Sequence, residues 1–205
     1  MISPPHPDDV IRDLGDKAVM ALVDATRISR EELAEYRELR PGWVADHSER
    51  GLANWINDRI WANLRRQVDG LPEVTLREEG STREVFVGDR FRARIKRHRD
   101  GDKISSYPTK TSLAYWAQTD IMIPGLEEIR LGFGYRWHAE ERTMGATVVS
   151  LRDGQDETPI WVVIVDTAQA SGGGGTVITT RPVDPSLPQI DLSSAIDRTS
   201  DEETS

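Results

Sequence analysis

Glu84-Val85-Phe86-Val87-Gly88-Asp89-Arg90-Phe91-Arg92-Ala93-Arg94-Ile95-Lys96-Arg97-His98 is the stretch that decides the fold. Two runs rich in β-branched and aromatic residues flank Gly88-Asp89-Arg90, a connection of hairpin length, so the chain turns back on itself here as paired strands. In the second run Phe91, Ala93 and Ile95 alternate with Arg92, Arg94, Lys96 and His98. A period of two puts the apolar set on one sheet face and the basic set on the other.

Upstream the period is helical. Asp8 or Asp9 is placed to cap a helix carrying Val10, Leu14, Ala18 and Leu22, weakened by Gly15. Ser29-Arg30-Glu31-Glu32 has the spacing of a capping box and predicts a second helix to about Leu39, stopping before Pro41-Gly42. Asp46 or Ser48 opens a third, with Leu52, Trp55, Ile56, Ile60, Leu64 and Val68 on one face, ending at Gly70-Leu71-Pro72. Val74-Thr75-Leu76 is a short strand before the hairpin.

Downstream, Asp100-Gly101-Asp102 is a turn, and Thr109 is placed to cap a helix over residues 112–119. Strands follow at 129–136, 147–151 and 160–165, with connections short enough for an antiparallel meander. The order predicts an α+β fold: N-terminal helices packed on one face of a mainly antiparallel sheet, with one inserted helix. Residues 1–166 read as one domain, helical over 1–70 and sheet over 71–166.

Beyond Asp166 the composition changes. All 13 aromatic residues lie before it, and Gly172-Gly173-Gly174-Gly175 begins a segment rich in Thr, Pro, Ser and Asp. Residues 167–205 hold six acids and two bases, a net of −4 out of −9 for the whole chain. Such a segment buries too little to order itself, so a disordered acidic tail is expected. Its apolar islands Val177-Ile178 and Ile190-Asp191-Leu192 are able to add a strand to the body or to a partner. The tail is also able to fold back over the basic strand and compete with an anionic ligand there.

Several chemistries lack their residues. With no cysteine there is neither a disulfide framework nor a thiolate metal site. The histidines His6, His47, His98 and His138 show no metal-ligand spacing, so no metal and no cofactor is predicted. Lys96 has Arg94, not an acid, two residues before it, which breaks the pattern of metal-dependent PD-(D/E)xK nucleases. The N-terminus lacks a signal-peptide pattern, and no apolar run is long enough to span a bilayer. A cytoplasmic protein without membrane contact is the expectation.

The basic strand is therefore the candidate site. Its charges repel one another unless carboxylates such as Glu84 or Glu127-Glu128 neutralise them, or unless an anionic ligand does. Tyr107 and Thr109 lie close in sequence, and Tyr135 and Trp137 on a later strand are candidates for the same face. Basic residues interleaved with aromatics suit phosphorylated ligands or single-stranded nucleic acid. A metal-free ribonuclease is chemically coherent too, with His98 and Tyr107 as acid and base and Arg92, Arg94 and Lys96 around the phosphate.

Arg92-x-Arg94-x-Lys96, Tyr107-Pro108-Thr109, Trp116-x-Gln118 and Gly134-Tyr135-Arg136 together resemble a group of small bacterial proteins. These are encoded beside regulators that join an Xre-type helix-turn-helix to an ImmA/IrrE-type zinc peptidase domain. The shared stretch is about residues 84–166. The resemblance implies a partner-binding component of a two-gene regulatory or toxin–antitoxin-like module, with the regulator as partner. It implies joint importance for Tyr107, Pro108, Thr109, Gln118 and Tyr135, and it carries no catalytic residue. The expected anion-binding or nucleic-acid-binding set is Arg92, Arg94, Lys96, Thr109, Gln118 and Tyr135.

Overall fold

The computed structural model describes residues 4–104, 109–118, 128–154, 156–165 and 178–179. Four helices come first: α1 (Pro7–Leu14), α2 (Asp16–Leu39), α3 (Pro41–Asp46) and α4 (Glu49–Gln67). The sheet strands are β1 (Val74–Glu79), β2 (Thr82–Val87), β3 (Phe91–His98), β4 (Ile129–His138), β5 (Thr143–Leu151), β6 (Trp161–Ile164) and β7 (Ile178–Thr179). Helix α5 (Lys110–Trp116) lies between β3 and β4 in sequence.

The α+β architecture is as expected, with N-terminal helices on a mainly antiparallel sheet. One core binds the two parts. Val10, Leu22, Leu52, Ile56, Ile60 and Leu64 from the helices share it with Val85, Phe91, Leu131, Phe133, Val149 and Val163 from the sheet. The α4 stripe runs as its spacing predicts, and Ser48 caps it by accepting from the Gly51 N–H at 3.0 Å.

Three helical details differ, the first being that α3 fills Pro41–Asp46, where a break was expected. The first predicted helix breaks at Gly15, whose φ of +81° suits glycine, and α2 starts afresh after it. Ser29 and Glu32 do not open a helix; they sit inside the continuous α2. Buried Ser29 donates to the Ala25 carbonyl at 2.7 Å and accepts from Asn63 of α4 at 3.0 Å. Glu32 accepts from Arg59 at 2.8 Å and from Asn63 at 2.9 Å. The residues that mimic a capping box are the polar lock between α2 and α4.

The sheet order is β1-β2-β3-β4-β5-β6-β7, and every pair is antiparallel except β3–β4. That seam is parallel, with Arg92 beside Arg130, Arg94 beside Gly132 and Lys96 beside Gly134. A parallel pair needs a crossover, and the crossover here carries α5. Helices are therefore not confined to one face. Tyr115 and Trp116 of α5 are buried apart from the main core, together with Ile104.

Gly132 and Gly134 make this second layer possible. A Cβ on Gly134 would stand 1.8 Å from the Lys96 carbonyl oxygen, and one on Gly132 would stand 2.6 Å from Ser150 Oγ and 3.2 Å from Ile104.

Of the expected tail, only Ile178–Thr179 is among the described residues. It pairs antiparallel with Val162 and Val163, so the first apolar island does add a strand to the body. The rest of the tail reading, including the second island, falls outside the described residues.

Candidate functional site

The register builds the basic face row by row. Phe91, Ala93 and Ile95 enter the main core, and Arg92, Arg94 and Lys96 project from the opposite face, as the alternation predicts. The parallel seam brings Arg130 beside Arg92, and the first turn of α5 brings Lys110 and Thr111 over them. A cavity of about 440 Å³ opens between these elements. Arg92, Arg94, Lys110, Thr111, Tyr115 and Arg130 contribute to its walls. A second cavity of about 330 Å³ shares Arg92, Arg94 and Thr111 and extends toward Arg77 and Thr82.

Glu84, only 3% exposed, sits at the centre of the cations. Arg92 Nη2 donates to its two carboxylate oxygens at 2.8 and 2.6 Å, and Arg94 donates from Nε and Nη2 at 2.9 and 2.7 Å. Burial favours a protonated Glu84, yet the hydrogen bonds from Arg92 and Arg94 more than offset this and hold its pKa below the usual carboxylate range. Glu128 accepts from Arg130 Nε at 2.8 Å and lies 3.5 Å from Arg92. Internal neutralisation by carboxylates is thus real but incomplete. Among the described residues four cations, Arg92, Arg94, Lys110 and Arg130, meet two carboxylates, Glu84 and Glu128; Glu127 lies outside the described residues. Among the described residues no carboxylate forms an ion pair with Lys110.

The aromatic rings here are already used. Arg94 lies 3.8 Å from the Tyr115 ring centroid and Arg92 lies 5.5 Å from that of Phe86. The Tyr115 hydroxyl donates to the Leu131 carbonyl at 2.8 Å, with the Arg92 carbonyl at 3.1 Å, tying α5 to the seam. Burial pushes its pKa well above the ordinary tyrosine value.

Other expected site residues go elsewhere. His98 lies on the basic face but is fully buried, with Nε2 2.9 Å from Ser150 Oγ. Its pKa is lowered to about 4, chiefly by burial, which removes it from the surface as a proton carrier. Tyr135 is a correction: its register beside Arg97 puts it on the helical face, in the main core, away from Arg92 and Arg94. Trp137 joins the same core. Gln118 is a backbone clamp, donating to the Arg130 and Arg152 carbonyls at 2.7 and 2.8 Å and accepting from the Arg130 N–H at 3.2 Å. It closes the gap where β4 and β5 part. Thr109 caps α5 by accepting from the Ser112 N–H at 3.1 Å. Tyr107 and Pro108 lie outside the described residues.

Lys96 is half-buried, with Nζ 5.8 Å from the Trp116 ring centroid. Burial, and then the charges of Arg94 and Arg152, lower its pKa to about 8. Arg130, Lys110, Thr111 and Tyr115 were missed by sequence reasoning. Arg130 alone carried a signal, since it alternates with Ile129 and Leu131 as Arg92 does with Phe91 and Ala93.

Among the described residues no group of three or more His, Asp or Glu side chains is placed to hold a metal ion. Among them, too, no helix is long and apolar enough to cross a membrane. Comparison with protein-family models, with curated proteins and with solved structures finds no match to this chain.

Proposed function

We propose that the chain is a recognition module that takes an anionic group, carboxylate or phosphate, carried by a protein partner, in the groove between β3, β4 and α5. The observation that carries this reading is the convergence of Arg92, Arg94, Arg130 and Lys110 on one open cavity, against Glu84 and Glu128 among the described carboxylates. Guanidinium groups with unused N–H donors suit the planar oxygens of either group. The resemblance to proteins encoded beside zinc-peptidase regulators supports a regulator as the partner in a two-gene module.

The alternatives draw less support. A metal-free ribonuclease needs an accessible acid–base pair, whereas His98 is walled in against Ser150. Single-stranded nucleic acid needs rings on which bases stack, whereas Tyr115 and Phe86 are covered by arginines.

The test is a calorimetric titration with pyrophosphate and with a short glutamate peptide at low ionic strength. The Lys110→Gln, Arg130→Gln double variant is expected to lose about tenfold or more in affinity, since hydrogen bonds to charged groups are worth about 1.5–3 kcal/mol each. Equal affinity in both proteins, or no binding to either probe, would overturn the reading. Co-purification with a co-encoded regulator tests the partner, and failure to co-purify would count against it. Tight binding of an oligonucleotide in place of both probes would favour the nucleic-acid alternative.

A further inference from the structure

We infer that the anion groove has an occupant built into the same chain, the acidic segment 180–205, which competes with any external anion for Arg92, Arg94, Arg130 and Lys110. This rests on the groove being an anion site, and it adds how that site is regulated.

The register supplies the geometry. Arg94 pairs with Gly132, Gly132 with Ser150, Ser150 with Val162, and Val162 with Thr179, one lateral row across the sheet. Thr179 therefore starts about 19 Å from Arg94, four strand spacings away. Direction matters as much as distance. Strand β7 runs antiparallel to β6, with Ile178 opposite Val163 and Thr179 opposite Val162. On leaving Thr179 the chain is heading from the Arg94 row toward the row that holds Arg92 and Arg130.

Charge and length fit. Residues 180–205 carry six acids and two bases, a net of −4, with Asp201-Glu202-Glu203 as the densest run. Among the described residues the groove carries four cations against two carboxylates. Asp201 follows Thr179 by 22 residues, and the random-coil reach for that number of residues is about 26 Å, close to the span required. A matched tether presents its charges at an effective concentration of about a millimolar, so a weak contact still fills the site much of the time.

The experiment compares the full chain with a full-length variant carrying Asp197→Asn, Asp201→Asn, Glu202→Gln and Glu203→Gln. Pyrophosphate is titrated into each at about 20 mM and about 500 mM salt, bracketing the regimes of weak and strong screening. The variant is expected to bind about threefold tighter or more at low salt, with the difference gone at high salt. Equal affinities at both salts, with pyrophosphate still bound, would overturn the tail inference and leave the anion site standing. If neither protein binds pyrophosphate, the anion reading falls and occupancy is decided directly. A spin label on Ser205→Cys either broadens the Lys110, Thr111 and Ala114 amide signals at low salt, which keeps the tail in the groove, or leaves them sharp, which removes it.

Discussion

Acidification should destabilise this protein well before its carboxylates begin to titrate, and His98 is the reason. The ring is 0% exposed and its Nε2 faces Ser150 Oγ. Burial is the main force lowering its pKa to about 4, with Asp102 opposing it and Arg136 adding to it. In the unfolded chain the same ring titrates near 6.5. As pH falls below 6.5 the unfolded state takes up a proton that the native state refuses until about pH 4, so stability falls across that window. The full loss is about 3 kcal/mol, of which about 2 kcal/mol is spent by pH 5. Glu84 and Glu32 lower stability in the same direction, but only once pH falls into the ordinary carboxylate range and on down to their lower native pKa values. Urea denaturation from pH 7.5 to 4.5, on the wild type and on His98→Gln, separates the two contributions. The wild-type curve should steepen below pH 6.5 and the variant's should not. An NMR titration of the His98 ring covers the case of a variant that folds poorly, and its midpoint should lie near 4. Parallel stability curves together with a midpoint near 6.5 would refute the reasoning.

Two further outcomes concern the seam and its charges. Gly134→Ala should cost about 3 kcal/mol or more in urea denaturation, because its Cβ meets the Lys96 carbonyl, backbone that cannot move without opening β3–β4; a cost below 1 kcal/mol would contradict the close approach. Lys96→Met should raise stability at pH 7 by about 1–2 kcal/mol, since it keeps the stem and removes a desolvated cation flanked by Arg94 and Arg152, and a loss of stability would show that the charge has a compensating role.

How much of this was legible in the sequence depends on how local each cause is. Leu52, Ile56, Ile60 and Leu64 recur at intervals of four, and Ser48 caps their helix through a neighbour three residues away, so α4 could be read directly. Phe91, Ala93 and Ile95 could be read for the same reason. Ser29 and Glu32 misled because their spacing is that of a cap, while their partners Asn63 and Arg59 belong to another helix. The parallel seam was not legible, since nothing near Arg92 says that Arg130 will lie beside it. The site shared that limit. Its basic strand and the countercharge Glu84 stood out within one hairpin, but Lys110 and Arg130 arrive through the crossover. Tyr135 was misplaced because sequence gives alternation within a strand, not which of its faces aligns with a distant strand's.

Helix α5 has seven residues and so a length of about 10 Å, on a seven-stranded sheet whose width is about 29 Å. It roofs the seam, and on the same side Val148, Ser150 and Val162 of β5 and β6 are buried as well. The two sides of the sheet thereby answer to different pressures during sequence change. The side under α1, α2 and α4 is fixed by interlocking volumes, and almost any replacement there disturbs its neighbours. On the roofed side, the rim positions Lys110, Thr111 and Ala114 on the helix and Arg77 and Thr82 on the sheet border open space. They can be exchanged without touching a strand-to-strand hydrogen bond. The rim can therefore drift while the scaffold stays constant, and the crossover that the topology demands is what separates the two.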